Sequence, residues 1–360
     1  MTFANAGENP TVTLTLTTSS ATVADVVVRP DNDDKASYTP EEDLADGRYT
    51  ATVTVTRTDG KRVERTWSFT VGEQDFQLYF GQLHSHTTYS DGSVPVARLP
   101  LMAARVGLDA MAISDHDTLR SVQYAYDHPV QDGVKLIPAT ELTGYDYERQ
   151  HRVHLLAYWP DPESEALRRH CDIMRQRRNE CCLQSARELE AIFPQFRTEQ
   201  ALEYARDSGV LYKSGIMQAL RELGLADSIY GERYHELFGW NPRGRVLHSP
   251  EYIPVREVLA TARAAGAVVV FAHPTVYKSM PLLRELVREG MVDGIEIDHP
   301  SNSPEDKAEC AALCGQYHLI HTGGTDFHGA NHKKVYPVGT CTTPDDQIAR
   351  IEELARKRKK

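Results

Sequence analysis

Histidine and carboxylate side chains occur in this chain at spacings that suit the binding of divalent metal ions. The segment LHSHTTYSDGS places His84 and His86 two residues apart, with Asp91 five residues after His86. On a strand, residues i and i+2 project from the same face about 7 Å apart, so both imidazoles can reach one ion. The segment therefore predicts part of a metal centre.

Further candidate ligands lie beside short apolar segments. They are His116 in AISDHDT, Glu141 in PATELTG, His154 in HRVHLLAY, His273 in FAHP, and Asp326 and His328 in GGTDFHG. Most of them lie at the carboxyl ends of predicted parallel strands, where α/β barrels assemble their active sites. The complete set of six histidines and three acids is too large for one ion and predicts two or three Mn2+, Zn2+ or Fe2+ ions.

Alternating strand and helix patterns are expected to position these ligands. From about Tyr79 onwards, apolar strands such as LDAMAIS, VKLIPA, AVVVFA and DGIEI alternate with helical segments, which predicts an α/β fold built on a parallel sheet or barrel. Between Pro160 and Pro254 the strand pattern disappears and amphipathic helices replace it. We therefore expect a helical insertion that interrupts the barrel.

The first 74 residues have a different pattern. Stretches such as TVTLTLT and YTATVTVTR alternate apolar and polar residues, and Asp59-Gly60 marks a hairpin turn. These features predict a small, all-β, immunoglobulin-like sandwich without a catalytic constellation. The expected organisation is a β-sandwich accessory domain at 1–74, a barrel in two parts at 75–159 and 254–345, a helical insertion that caps the substrate at 160–253, and a C-terminal helix with a basic tail at 346–360.

The composition argues against several classes of protein. The 360 residues include 40 Lys and Arg against 51 Asp and Glu, a net charge of −11, which disfavours non-specific binding of double-stranded DNA. No apolar run approaches the ~20 residues of a membrane helix, and the segment after Met1 lacks the basic and apolar regions of a signal peptide. We therefore expect a cytoplasmic protein without a membrane partner.

Taken together, the motifs resemble those of the polymerase and histidinol phosphatase (PHP) superfamily of metal-dependent phosphoesterases. HxHxxxSDG, SDHDT, an isolated Glu, a strand His, AHP and GTDFHG occur in the family's order, and the resemblance covers residues 79–342. It implies a distorted (β/α)7 barrel with a trinuclear metal centre. It also implies three ligand groups: His84, His86, Glu141 and Asp326 for one ion, Glu141, His154 and His273 for the second, and Asp91, His116 and His328 for the third.

Within the superfamily, the insertion resembles the branch of nucleoside 3′,5′-bisphosphate and AMP phosphatases and 5′→3′ exoribonucleases. The N-terminal part resembles the β-sandwich of larger PHP metallohydrolases. Four positions in two motifs depart from the branch: Lys213 and Gly215 replace an Arg and a His, and Thr275 and Val276 replace Gly-Arg after AHP. These departures leave the identity of the substrate open.

The motifs and the resemblance favour hydrolysis of phosphomonoesters of nucleotides or short RNA by a hydroxide that bridges two ions. In this hypothesis Asp326 relays a proton, and His299 contacts the substrate or protonates the leaving group. Lys213, Arg178 and Arg175 are the candidate phosphate contacts. Two alternatives stay open: a PHP hydrolase of another ester (a sugar or histidinol phosphate, or a carboxyl or carbamate ester), and a binding or surface protein. The sequence does not determine the oligomeric state.

Overall fold

The computed structural model describes residues 10–18, 21–28, 30–32, 35–36, 38–45, 47–71 and 81–359. By its internal contacts the chain divides into two compact units, residues 1–77 and 78–360. The predicted boundary at 74–75 falls outside the described residues.

The N-terminal unit is all-β, as its alternating sequence predicts. Its strands are β1 (Thr11–Thr17), β2 (Thr22–Val28), β3 (Pro30–Asn32), β4 (Lys35–Ala36), β5 (Gly47–Thr56) and β6 (Arg62–Val71). Four of them form an antiparallel sheet in the order β2-β1-β5-β6, and β3 pairs with β4. In β1, buried Val12, Leu14 and Leu16 alternate with less buried threonines, so one face of the sheet packs into an apolar core. The predicted hairpin at Asp59-Gly60 joins β5 to β6.

The second unit is an α/β barrel. Its strands are β7 (Gly81–Gln82), β8 (Ala110–Ile113), β9 (Val130–Gln131), β10 (Val134–Asp146), β11 (His151–Tyr158), β12 (Ile253–Pro254), β13 (Val268–Phe271), β14 (Gly294–Asp298) and β15 (Ile320–Gly323). The main path is β7-β8-β10-β11-β13-β14-β15, while β9 and β12 pair with β10. Backbone hydrogen bonds from Leu83 N to Gly323 O (3.2 Å) and from His86 N to Phe327 O (2.8 Å) nearly close this sheet. The predicted seven-stranded, distorted PHP barrel is confirmed.

One strand runs in the direction opposite to the parallel arrangement expected from the sequence. β11 is antiparallel to both of its neighbours, β10 and β13. The physical reason is the short connection between β10 and β11, because residues 147–150 can form a hairpin turn but cannot hold a crossover helix. Consequently the start of β11 lies at the same edge of the barrel as the carboxyl ends of the parallel strands.

Helices cover the barrel and form the insertion. They are α1 (Leu99–Arg105), α2 (Arg120–Asp127), α3 (Glu165–Ile192), α4 (Thr198–Leu202), α5 (Lys213–Glu222), α6 (Glu232–Phe238), α7 (Val255–Ala264), α8 (Met280–Arg288), α9 (Pro304–Tyr317) and α10 (Asp345–Arg358), with short 3-10 turns at Val96–Arg98 and Glu203–Ala205. Helices α3 to α6 lie between β11 and β12 and share a core that includes Leu189, Phe196, Ile216 and Phe238. Across the described residues, the helices lack the combination of length and apolar composition that spanning a membrane demands.

Candidate metal centre

The nine ligands predicted from the sequence come together at one edge of the barrel. They are His84 and His86 after β7, Asp91 in the following turn, His116 after β8, Glu141 in β10, His154 in β11, His273 after β13, and Asp326 and His328 after β15. All of them are buried or half-buried. Such a concentration of buried carboxylates and imidazoles needs a compensating charge, which divalent cations supply.

Four ligand atoms form the most compact group. The Nε2 atoms of His84 and His86 are 3.1 Å apart. These two atoms lie 3.3 and 3.2 Å from Glu141 Oε2 and 3.2 and 3.0 Å from Asp326 Oδ1. Four ligands about 2.0–2.1 Å from one tetrahedral ion are separated from one another by roughly 3.3 Å. The group therefore has the dimensions of a metal site.

Among the described residues, two carboxylate oxygens of this group lack a hydrogen-bond donor. Glu141 Oε2 and Asp326 Oδ1 are both buried, and neither receives a hydrogen bond from the part of the chain that the structure describes. An ionised oxygen without a partner is costly in a protein interior. A cation between the two carboxylates would remove this cost, so the residues fit a bound metal ion.

Glu141 links this first group to a second. Its other oxygen, Oε1, lies 2.9 Å from His154 Nδ1 and 2.9 Å from His273 Nε2. Because β11 is antiparallel, His154 lies directly opposite Thr143 of β10, two residues from Glu141. One carboxylate can thus contribute one oxygen to each of two neighbouring ions.

A third group surrounds Asp91. Asp91 Oδ1 lies 3.3 Å from His328 Nε2 and 3.9 Å from His116 Nε2. His328 Nδ1 donates a hydrogen bond to the backbone oxygen of Asp326 (2.8 Å), which leaves its Nε2 free to bind a cation. His86 lies within ligand distance of this group, and His332 lies near Asp326 and His328. The sequence analysis assigned neither His86 nor His332 to this third group.

Glu296 supports two of the ligands, and the sequence analysis missed it. Its Oε1 accepts a hydrogen bond from His84 Nδ1, and its Oε2 accepts one from the backbone N–H of His273, both at 2.9 Å. The first bond places the proton of His84 on Nδ1, so that Nε2 presents its lone pair to the metal site. A glutamate between two isoleucines in the buried strand DGIEI was the signal that could have identified it.

Asp115 holds the loop that carries Asp91. Its carboxylate accepts hydrogen bonds from Thr87 N (2.8 Å), Thr87 Oγ1 (2.7 Å) and Ser90 Oγ (2.6 Å). Burial raises the pKa of Asp115, although these three donors act in the opposite direction. The SDHDT segment therefore contributes a positioning carboxylate immediately before the candidate ligand His116.

The carboxylates of the centre attract protons as well as metal ions. Burial disfavours the charged form of His86, but Asp326 and Glu141 outweigh this effect and raise its pKa to about 10. A metal ion bound by His86 Nε2 must displace that proton. Metal affinity is therefore expected to increase with pH.

We expect metal loading to stabilise the folded protein. Ions that bind the native centre but not the unfolded chain add about 2.7 kcal/mol per site at a free concentration of 100 Kd. The measurement is the Tm of chelator-treated protein with and without added Mn2+ or Zn2+. A variant of the exposed His128, His128→Gln, should show the same increase in Tm. An unchanged Tm at saturating concentrations of either metal would contradict the site.

His299 and Asp326, the two predicted catalytic residues, face each other. His299 Nε2 lies 3.5 Å from Asp326 Oδ2. The Nδ1 atom of His299 accepts a hydrogen bond from Ser301 N (3.0 Å), so the neutral ring carries its proton on Nε2. Asp326 therefore directs Oδ1 towards the first ligand group and Oδ2 towards a proton donor.

The predicted phosphate contacts lie in three different environments. Arg178, on α3, donates to Asp117 Oδ2 (2.6 Å) and Thr143 Oγ1 (3.2 Å) at the rim of the barrel. Burial, with nearby Arg178, lowers the pKa of Lys213 to about 8, and its ammonium lies over the Phe238 ring. Arg175 donates to Ser208 O (2.9 Å), a contact within the helical insertion.

Comparisons with known proteins identify the family of the second unit. Residues 82–202 match the PHP domain. The phosphoribosyl 1,2-cyclic phosphate 1,2-diphosphodiesterase of Eggerthella lenta is 33% identical over 247 residues, which cover 69% of this chain and 93% of the relative. The chain belongs to the PHP family. Its PHP unit is also similar to the 5′-3′ exoribonuclease Rnm of Escherichia coli, at 28% identity over 255 residues, which cover 68% of this chain and 84% of the relative.

This chain is also similar to a solved structure from Bifidobacterium adolescentis, which is assigned as a metal-dependent phosphoesterase. The TM-score is 0.69 and the sequence identity is 26%. The match covers 76% of this chain and 96% of the other. The relatives are hydrolases, and the ligand groups of this chain are suited to binding metal ions. This chain is therefore a metal-dependent hydrolase.

The N-terminal unit is similar to a different domain family. Residues 1–72 match the CopC domain. This segment contains no histidine and no cysteine, and all nine predicted metal ligands lie in the PHP unit, between residues 84 and 328.

Proposed function

We propose that this chain hydrolyses phosphomonoesters of nucleotides or short oligonucleotides, with two or three Mn2+, Zn2+ or Fe2+ ions as cofactors. The observation that carries the proposal is Glu141, because its Oε2 faces the imidazoles of His84, His86 and His116 and its Oε1 faces those of His154 and His273. Adjacent ions are the arrangement on which many phosphoesterases depend. The diphosphodiesterase and exoribonuclease relatives support a phosphorylated sugar or nucleotide as the substrate.

The metal ligands of this proposal are the three groups already described. Bound divalent ions would lower the pKa of water towards neutrality and neutralise the phosphoryl oxygens. The side chains of His84, His86, Glu141 and Asp326 would hold one ion, and Glu141 with His154 and His273 a second. Asp91, His116 and His328 would hold the third.

Asp326 and His299 would transfer protons beside the phosphoryl group. Asp326 Oδ2 lies on the side of the carboxylate that faces His299 Nε2, so a proton accepted at Oδ2 can pass to or from the imidazole. His299 is buried, and its orientation is held by the hydrogen bond from Ser301 N to Nδ1. We assign His299 the role of proton donor to the leaving oxygen.

Arg178 and Lys213 would bind the substrate's phosphate. Asp117, which directly follows the candidate ligand His116, accepts a hydrogen bond from Arg178 and thereby orients its guanidinium at the rim. Lys213 begins α5 and has no carboxylate partner in the described residues. Arg175 stays a predicted contact whose guanidinium would have to leave Ser208 to reach a ligand.

A substrate panel tests the proposal. The metal content of protein purified without added ions is measured first, and phosphate release is then followed from AMP, adenosine 3′,5′-bisphosphate, a 5′-phosphorylated RNA trimer, histidinol phosphate and an aryl phosphate. We expect two to three metals per chain and the highest kcat/KM on the nucleotide substrates. Cleavage of an aryl carboxylate or carbamate ester by fully metallated protein, without phosphate release, would refute the proposal.

A further inference from the structure

A row of polar side chains extends from the metal centre along the hairpin of β10 and β11. Opposed residues in an antiparallel pair share one face, and the register places Thr143 opposite His154 and Tyr145 opposite Arg152. Glu141, two residues before Thr143, lies on the same face. Arg152 is therefore one step, about 7 Å, further from the barrel than the candidate ligand His154.

The guanidinium of Arg152 lies between aromatic rings. It lies 4.9 Å from the ring centroid of Tyr277 and 5.9 Å from that of Tyr252. Tyr145 stacks on Tyr252, with centroids 5.8 Å apart and an angle of 3° between the planes. These rings hold the guanidinium plane in one place, which reduces the conformational entropy lost when it binds a ligand.

Arg152 has no anionic partner in the described part of the chain. Nearly all other arginines of the PHP unit that lie away from solvent have an acid or a backbone oxygen within reach, as Arg149 does with Asp146 and Arg358 does with Asp293. No carboxylate or carbonyl accepts a hydrogen bond from the Arg152 guanidinium among the residues that the structure describes. A half-buried guanidinium stays charged and has five N–H donors to satisfy.

Two further cations lie near Arg152. The charges of Arg152 and Arg178 both act on Lys213, and burial together with these neighbours lowers its pKa to about 8. Arg178 is paired with Asp117, whereas Arg152 and Lys213 have no carboxylate partner among the described residues, so their charges repel one another. An anionic ligand would relieve this repulsion and satisfy the free donors of Arg152 and Lys213.

We propose that Arg152 is a specificity-determining residue that binds a second phosphate group of the substrate, one that is not hydrolysed. The inference rests on the proposed function. The reacting phosphate belongs at the metal ligands, and Arg152 lies about 7 Å further along the strand than His154. This separation suits two phosphates on one nucleotide, or the terminal phosphate and the next phosphodiester of a short oligonucleotide. Tyr252 and Tyr277 hold Arg152, and Lys213 adds a second charge.

The test is a comparison of substrates that differ in the second phosphate. Metal-loaded wild-type protein and Arg152→Met are assayed on adenosine 3′,5′-bisphosphate, both adenosine monophosphates, a 5′-phosphorylated dinucleotide and an aryl phosphate. We expect Arg152→Met to lower kcat/KM about tenfold or more on substrates with a second phosphate, as the loss of a charge-assisted hydrogen bond implies. The change on the aryl phosphate should be within about threefold. A loss confined to the bisphosphate or to the dinucleotide identifies which compound supplies the second phosphate.

Two controls make the result interpretable. Arg187→Met alters an exposed arginine of α3 and should leave all five substrates unaffected, while Arg152→Lys should restore part of the preference. The Tm and metal content of each variant show whether it folds. An equal loss on every substrate, or no loss on any, would overturn the role of Arg152 while phosphatase activity stands. Failure of metal-loaded wild type to release phosphate from any substrate would instead overturn the proposed function.

Discussion

Glu141→Gln is expected to lose both turnover and bound metal. One oxygen of Glu141 faces His84, His86 and His116, and the other faces His154 and His273. A neutral amide would remove a negative charge from two ligand groups at once and would direct an N–H donor at one of them. Because loss of a residue that only supports a ligand costs 10–100-fold, loss of this shared ligand should lower kcat by more than about 100-fold.

The measurement for Glu141→Gln combines metal content with phosphate release. The variant is dialysed against metal-free buffer beside wild type, the bound ions are counted, and kcat is determined at saturating metal. Glu148→Gln is the matched control, since Glu148 is an exposed residue in the turn between β10 and β11. A Glu141→Gln protein with wild-type metal content and kcat would exclude a shared ligand at this position.

Glu296→Gln is expected to weaken metal binding by about 10–100-fold while the fold is kept. The two oxygens of Glu296 accept different hydrogen bonds, one from His84 Nδ1 and one from His273 N. A glutamine has one acceptor oxygen and an NH2 group in place of the second. One of the two hydrogen bonds must therefore be lost, and with it the orientation of one candidate ligand.

Titration of the metal-free protein with Mn2+ or Zn2+ measures this effect directly as Kd. Turnover should recover at high metal concentration, because Glu296 supports the ligands without binding an ion itself. The control is Glu309→Gln, which removes a surface carboxylate paired with Arg284. An unchanged Kd, or a variant that stays inactive when fully loaded, would show that Glu296 has a different role.

Much of the site could be predicted because its chemistry depends on residue type and local order. The spacing of His84 and His86 alone predicts that both imidazoles project to one side of an extended segment, and the recognisable apolar segment VKLIPA leads to Glu141. The family resemblance assigned the other ligands to three groups. The comparisons confirm the PHP family and the barrel. The assignment of each ligand to a particular ion stays a prediction until metal-bound protein is measured.

The sequence analysis was wrong about the direction of β11. A short apolar segment has the same pattern whether its neighbours are parallel or antiparallel, so the alternation of strands and helices suggested a parallel sheet. The hairpin register decides the outcome, since it places His154 and Arg152 on the face that carries Glu141. In a parallel arrangement the start of β11 would lie at the opposite edge of the barrel, away from the candidate site.

The sequence by itself determined the class of protein and the kinds of ligand, because these follow from residue types that recur at the ends of apolar strands. Tertiary structure alone decided which oxygen of Glu141 faces which imidazole, that Glu296 orients His84, and that Arg152 lacks an anionic partner among the residues the structure describes. These properties depend on distances between atoms far apart in the chain. Such distances are set by strand direction, register and the packing of the helical insertion, which local sequence patterns do not specify.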